Sequence, residues 1–247
     1  MRLLILAAGK GSRISKHLPG IPKSLVEIGG SSLLEYTVST FFKKGIDSIG
    51  IALGYQQEMI RENLKAYPVQ YFYNPFFDVT NSIASAWFAL DFIFVDDDVL
   101  IMNGDVFMEE ALIDEVIKTK TSPVLFADGS RKEEADYKFL YKNNLLVKYG
   151  KDLKDSDVTG EYVGIAKLGK AFIPIFCKKL VEMIYSQQHP LWWENVLYQS
   201  LPEIEVFVQE TNGLFWAEVD YIEDYERILK FRKCLGYFTL SDSCIGG

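Results

Sequence analysis

Short apolar runs and segments of helical periodicity alternate along the first half of the chain. Leu3–Leu6, Ser48–Leu53, Val69–Tyr73, Asp98–Met102 and Pro123–Phe126 read as strands, being short, apolar and bounded by turn residues. Between them Ser31–Lys44 reads as a helix. Ser31 or Ser32 caps it, Leu33, Leu34, Val38, Phe41 and Phe42 recur at helical spacing, and Lys43-Lys44-Gly45 ends it. Gln56–Lys65, Ser82–Leu90 and Glu109–Lys118 complete the helical set. This βαβα rhythm predicts an α/β fold: a doubly wound, mostly parallel, Rossmann-like sheet with helices on both faces.

The rhythm changes after Gly129. Tyr137–Tyr141, Leu145–Tyr149 and Glu161–Leu168 read as strands of a smaller antiparallel or mixed section, with Asn143-Asn144 as a hairpin turn. A long helix over about Ala171–Gln187 must take Pro174 into its first turn or start after it. Trp192–Gln199 reads as a further helix, Glu205–Val208 and Phe215–Glu218 as strands, and Tyr221–Arg232 as a closing helix. No repeat, linker or low-complexity segment divides the chain. The expectation is one domain over residues 1–240 with an acceptor-binding section, and a small, polar, disordered tail over 241–247.

Composition narrows the class. The chain has 247 residues, 49% of them hydrophobic, enough for a full core without staples. A net charge of −8 speaks against a nucleic-acid partner, which favours a basic face. No apolar stretch is long enough to span a bilayer, and Met1-Arg2 leads straight into a strand. The odd count of three cysteines, Cys177, Cys234 and Cys244, has no metal spacing and fits a reduced, cytoplasmic protein. With only His17 and His189, a histidine-based metal site or triad is not expected. The sequence is compatible with a homodimer and does not set the oligomeric state.

Chemistry concentrates at the end of the first strand. Leu6-Ala7-Ala8-Gly9-Lys10-Gly11-Ser12-Arg13 is a glycine-rich loop, and Pro22-Lys23 follows it. Such a loop lets backbone N–H groups approach phosphates, since no Cβ stands in the way. Arg13 and Lys23 can then neutralise triphosphate charge. Ile14 breaks a dinucleotide fingerprint, and the spacing lacks the Gly-Lys-Ser/Thr of a P-loop. A second focus is Asp105, which follows Val99-Leu100-Ile101-Met102 across Asn103-Gly104. A carboxylate beyond the carboxyl end of such a strand can hold Mg²⁺ against triphosphate oxygens. Asp96-Asp97-Asp98 precedes that strand and reads as a solvated turn.

The loop resembles that of the nucleotidyltransferase superfamily that activates sugars and small alcohols as nucleoside diphosphates. Its motif is Leu-Ala-Ala-Gly-x-Gly-Ser/Thr-Arg with a following Pro-Lys, which Leu6 to Arg13 and Pro22-Lys23 match. Near the end, Val219-Asp220 and Glu223-Asp224 match the family's Glu-Ile/Val-Asp and Thr-x-Glu-Asp, with Tyr221 in place of Thr. The resemblance makes Asp220 the second Mg²⁺ ligand beside Asp105. Within the superfamily the chain is most similar to cytidylyltransferases that activate phosphocholine and related phosphate or phosphonate amines. Asn81-Ser82-Ile83-Ala84-Ser85, Lys151-Asp152-Leu153, Gly160-Glu161-Tyr162-Val163-Gly164 and Trp192-Trp193-Glu194 resemble segments of that branch, although Gly150 stands where Ser is usual.

This resemblance implies roles. Leu6, Ala7, Ala8, Gly9, Gly11, Ser12, Asn81, Ser82 and Gly104 would hold CTP; Arg13, Lys23 and Lys151 would act on its phosphates or on the acceptor oxyanion. Glu161, Tyr162, Trp192, Trp193, Glu194 and Trp216 would surround a small acceptor bearing an amine, its ammonium against aromatic faces. Taken singly, a tryptophan more often packs in a core. The implied reaction is Mg²⁺-dependent transfer of CMP from CTP to the acceptor with release of pyrophosphate. Rival readings are a cytidylyltransferase for an amino acid such as glutamine, a sugar-1-phosphate uridylyl- or thymidylyltransferase, and a catalytically silent nucleotide-binding subunit.

Overall fold

The computed structural model describes residues 1–11, 20–132 and 135–236, so Ser12, Arg13 and the tail expected at 241–247 lie outside the described residues. Its first half alternates as the periodicity predicts: β1 (Arg2–Ala7), α1 (Leu33–Lys43), β2 (Ser48–Leu53), α2 (Gln57–Asn63) and β3 (Gln70–Tyr73). Then come α3 (Ser82–Phe88), α4 (Leu90–Ile93), β4 (Val99–Asn103), β5 (Val106–Met108), α5 (Glu110–Lys118) and β6 (Val124–Asp128). The second half holds β7 (Lys138–Lys142), β8 (Leu145–Gly150), β9 (Gly160–Leu168), α6 (Ile173–Tyr185), α7 (Asn195–Tyr198), β10 (Phe207–Glu210), β11 (Trp216–Glu218) and α8 (Ile222–Cys234).

Nine strands form one sheet in the order β3-β2-β1-β4-β9-β6-β10-β8-β7. β1 pairs in parallel with β2 on one side and β4 on the other, so the strand order reverses there. A crevice opens beyond the carboxyl ends of β1 and β4, where open α/β sheets bind ligands. Alternate residues of β1 feed two cores. Leu4 and Leu6 pack with α3 and α6, while Leu3 and Ile5 pack with α1 and α5. Apolar burial on both faces accounts for the near-continuous hydrophobic strands.

The structure corrects several details. Glu161–Leu168 reaches beyond the smaller antiparallel section: β9 pairs with β7 at its start and runs antiparallel between β4 and β6 in the middle of the main sheet, with all its residues buried. The one charge near its end, Lys167, is accommodated because its Nζ donates to the Thr119 carbonyl at 2.5 Å and faces Asp98 at 3.3 Å. The hairpin between β7 and β8 is present, and both Asn143 and Asn144 take positive φ. Pro174 sits in the first turn of α6. The helix expected over Trp192–Gln199 is a single turn, Asn195–Tyr198. The residues before it are held along the start of α3, where Asn81 N–H bonds His189 O at 2.9 Å and Ser82 Oγ accepts from Trp193 N at 3.0 Å.

One pairing was invisible to periodicity. β5 is only three residues long and forms an antiparallel ribbon with β11, in which Glu218 opposes Val106. Val219 N–H also bonds Asp105 O at 2.8 Å. This ribbon carries the end of the chain back to the crevice.

Candidate active site

The glycine loop leaves β1 at the reversal point. Gly104 closes against it, donating its N–H to Leu6 O at 2.9 Å. A Cβ on Gly104 would stand 2.9 Å from Leu6 O and from Ala7 Cβ, so glycine lets the β4 turn approach the loop. Gly11 has φ +63, and a Cβ there would overlap Lys23 Cγ at 2.2 Å. The Lys23 stem thus lies across the loop. A short 3₁₀ turn, Lys23–Leu25, follows Pro22 and aims the lysine back into the crevice.

The β5–β11 ribbon brings three carboxylates together. Oxygens of Asp105, Glu218 and Asp220 all lie within 4.8 Å of one another. Lys23 Nζ sits among them, 3.2 Å from Asp105 Oδ2 and hydrogen-bonded to Asp220. Burial works against the lysine's charge, but Asp105, Asp220 and Glu218 outweigh it and hold its pKa above the ordinary range. Burial, then Asp105 and Asp220, push the Glu218 carboxyl well above the ordinary value. Three oxygen donors crowded round a cation are the donor chemistry that Mg²⁺ takes, completed by phosphate oxygens and water. The residues present therefore fit a divalent metal, and Lys23 sets a positive charge among the same carboxylates. Glu218 received no role from the sequence; it is the last residue of β11, and Asp220 follows two residues later, beyond the strand.

A cavity of about 450 Å³ extends from this cluster. Part of its lining is Leu6, Ala7, Ala8, Gly9, Gly11 and Gly104, with Asn81 and Ser82 from the start of α3. Asn81 caps that helix through its Oδ1, which accepts from Ser82 N at 2.8 Å. Ser85 of the same segment lines the cavity too, as do Phe77 and Thr80, which the sequence reading did not single out.

The rest of its wall is aromatic and acidic: Asp136, Tyr137, Tyr162, Trp192, Glu194 and Tyr198, together with Lys151. Tyr137 stacks on Tyr198 with centroids 5.9 Å apart and meets the edge of Trp192 at 5.6 Å. Glu194 is 5% exposed, and burial lifts its carboxyl from 4.5 to about 7. Asn103 Nδ2 donates to its Oε1 at 3.3 Å.

Three residues expected at the acceptor do not line the cavity. Trp193 is fully buried, and its indole N–H donates to Asn103 Oδ1 at 3.0 Å, so it supports the wall from behind. Trp216 is buried in β11, where its indole N–H bonds Asp128 Oδ2 at 2.8 Å. Glu161 points into the protein, accepting from Arg131 Nε at 2.9 Å and from Asp136 N at 2.8 Å. Asp136, Tyr137 and Tyr198 stand there instead; the Asp136-Tyr137 pair and the distant Tyr198 belong to no motif and gave no sequence signal.

Comparison with known proteins places this geometry. The family model for the MobA-like NTP transferase domain matches residues 3–215. The choline-phosphate cytidylyltransferase of Streptococcus pneumoniae is 22% identical over 94% of this chain and 99% of its own length. The CTP:phosphoglutamine cytidylyltransferase of Campylobacter jejuni is also 22% identical, over 92% of this chain and 98% of its own. Among solved structures, the CTP:phosphocholine cytidylyltransferase LicC from Streptococcus pneumoniae superposes with a TM-score of 0.77 at 20% identity, covering 93% of this chain and 98% of that one. At that identity the superposition shows a shared fold.

Proposed function

For a chain that belongs to the MobA-like NTP transferase family, we propose the activity of a Mg²⁺-dependent cytidylyltransferase that passes CMP from CTP to a small phosphate or phosphonate bearing an amine. The observation that carries this reading is a single cavity with a carboxylate–lysine cluster at the glycine loop and an aromatic, acidic wall beyond it. The choice of CTP draws on the full-length relatives.

In this reading the loop backbone at Ala7 to Gly11 cradles the nucleotide, and the start of α3 closes over its base and ribose. Asp105, Glu218 and Asp220 hold the metal, which when bound supplies charge neutralisation at the phosphates. Lys23 moves from the carboxylates to the phosphate oxygens. An acceptor oxyanion attacks the α-phosphorus in line, a new P–O bond forms, and the bond to the bridging oxygen breaks. Its electron pair leaves with pyrophosphate. No base is needed, since the attacking oxygen is already ionised. The protein's work is positioning and electrostatics. Tyr137 and Trp192 offer aromatic surface to the acceptor's ammonium, backed by the stacked rings of Tyr162 and Tyr198, and Asp136 and Glu194 offer carboxylates.

The test is an acceptor panel at saturating CTP and Mg²⁺, with products identified by mass. Phosphocholine, phosphoethanolamine and 2-aminoethylphosphonate are expected to yield CDP- or CMP-linked conjugates ahead of glucose 1-phosphate. Equal use of glucose 1-phosphate refutes the amine reading and leaves the nucleotidyl transfer standing.

A further inference from the structure

We propose that Lys151 occupies the acceptor's cation seat in the free enzyme and gives it up when an ammonium-bearing acceptor arrives. The proposal rests on the acceptor reading of this wall of the cavity. The Lys151 ammonium lies 2.7 Å from Asp136 Oδ2 and 5.8 Å from the centroid of the Trp192 ring. A carboxylate on one side and an aromatic face on the other is an arrangement that recognises an ammonium. The chain's own cation therefore marks where a substrate's cation sits.

Lysine is the moving part, because the seat is tied down. Asp136 N–H donates to Glu161 Oε1 at 2.8 Å, and Arg131 Nε donates to Glu161 Oε2 at 2.9 Å. Glu161 is 7% exposed within β9, so the Asp136 backbone is fastened to the central sheet. Lys151 instead hangs from the turn after β8. Gly150 before it takes φ +126, a conformation that residues with side chains rarely adopt, and nothing lies within 4 Å of where its Cβ would be. The lysine and aspartate side chains are 37% and 51% exposed. A pair so open to water is weak and readily exchanged. Once displaced, Lys151 is free to meet the anionic end of the same acceptor. An amine-free phosphate leaves it on Asp136. The amine thereby raises turnover as well as affinity.

The test titrates tetramethylammonium chloride into wild type, Lys151→Met and Asp136→Asn by tryptophan fluorescence, with sodium chloride holding ionic strength constant. Removing a competitor of this strength should tighten cation binding in Lys151→Met by about twofold to fivefold. Asp136→Asn should weaken it several-fold. With phosphocholine as acceptor, Lys151→Met should lose kcat without a rise in acceptor KM. A lysine that only contacts phosphate, or only supports the turn, would not tighten cation binding. If Lys151→Met binds the cation no tighter than wild type, or Asp136→Asn binds it equally well, the proposal is overturned and the acceptor reading stands. If none of the three proteins binds it, both fall.

Discussion

Glu194→Gln should make the protein more stable at alkaline pH while impairing its use of the acceptor. Glu194 is 5% exposed, and burial lifts its carboxyl from 4.5 to about 7. In the unfolded chain it ionises at the ordinary value, so across that interval the unfolded state gives up a proton that the native state keeps. A carboxyl raised on folding costs nothing below its unfolded pKa. The cost grows as pH rises and levels off above the folded value. At about 1.4 kcal/mol per pH unit of displacement, the cost above pH 7 is about 3 kcal/mol. Glutamine removes this cost and keeps the size of the side chain and an oxygen for Asn103 Nδ2. Urea unfolding at pH 8 should show the variant more stable by about 2–3 kcal/mol, and the difference should vanish near pH 4. Acceptor KM at pH 8 should rise in the same variant while CTP KM holds. A stability difference that does not change with pH, or a variant less stable at pH 8, refutes the assignment of a desolvated carboxyl to this position.

Three further substitutions probe other parts of the account. Lys23→Ala should lower kcat/KM in a pyrophosphate-release assay by an amount equivalent to about 2–4 kcal/mol, the scale of one preorganised electrostatic contact; an unchanged rate removes Lys23 from the phosphate site. Gly104→Ala should cost about 1–3 kcal/mol in thermal unfolding, because its Cβ would meet Leu6 O and Ala7 Cβ at 2.9 Å, and an unchanged melting temperature would show that the turn relaxes freely. Trp193→Phe strips the hydrogen bond from Asn103 Oδ1 and should cost about 1–3 kcal/mol of stability. A rise in acceptor KM with no loss of stability would instead make Trp193 an acceptor contact.

The parts of the fold that periodicity could report are those with sustained apolar spacing. The alternation through β4 and the parallel run β3-β2-β1-β4 were legible because β1, β2 and β4 are buried on both faces. β9 was legible as a strand, but its antiparallel place between β4 and β6 is a matter of topology, which no local pattern encodes. β5 is too short to show a period, yet it draws Glu218 and Asp220 to Asp105. The same limit applies at the acceptor wall. Trp192 and Trp193 are adjacent and look alike in sequence, but only Trp192 lines the cavity, since the Ser82 and Asn103 contacts turn Trp193 inward. Glu161 looked like an acceptor ligand as part of a motif. In the structure it holds the backbone of Asp136, whose own carboxylate faces the cavity.

We propose nucleotidyl transfer from CTP through the carboxylate cluster. Its most direct measurement is pyrophosphate release with phosphocholine across CTP, UTP, ATP and GTP, with Mg²⁺ or with EDTA, on wild type and Asp105→Ala. Release with CTP is expected ahead of the other three, one pyrophosphate per conjugate formed, abolished by EDTA and largely lost in Asp105→Ala. Release that favours UTP, persists in EDTA, or proceeds at the wild-type rate in Asp105→Ala would contradict it.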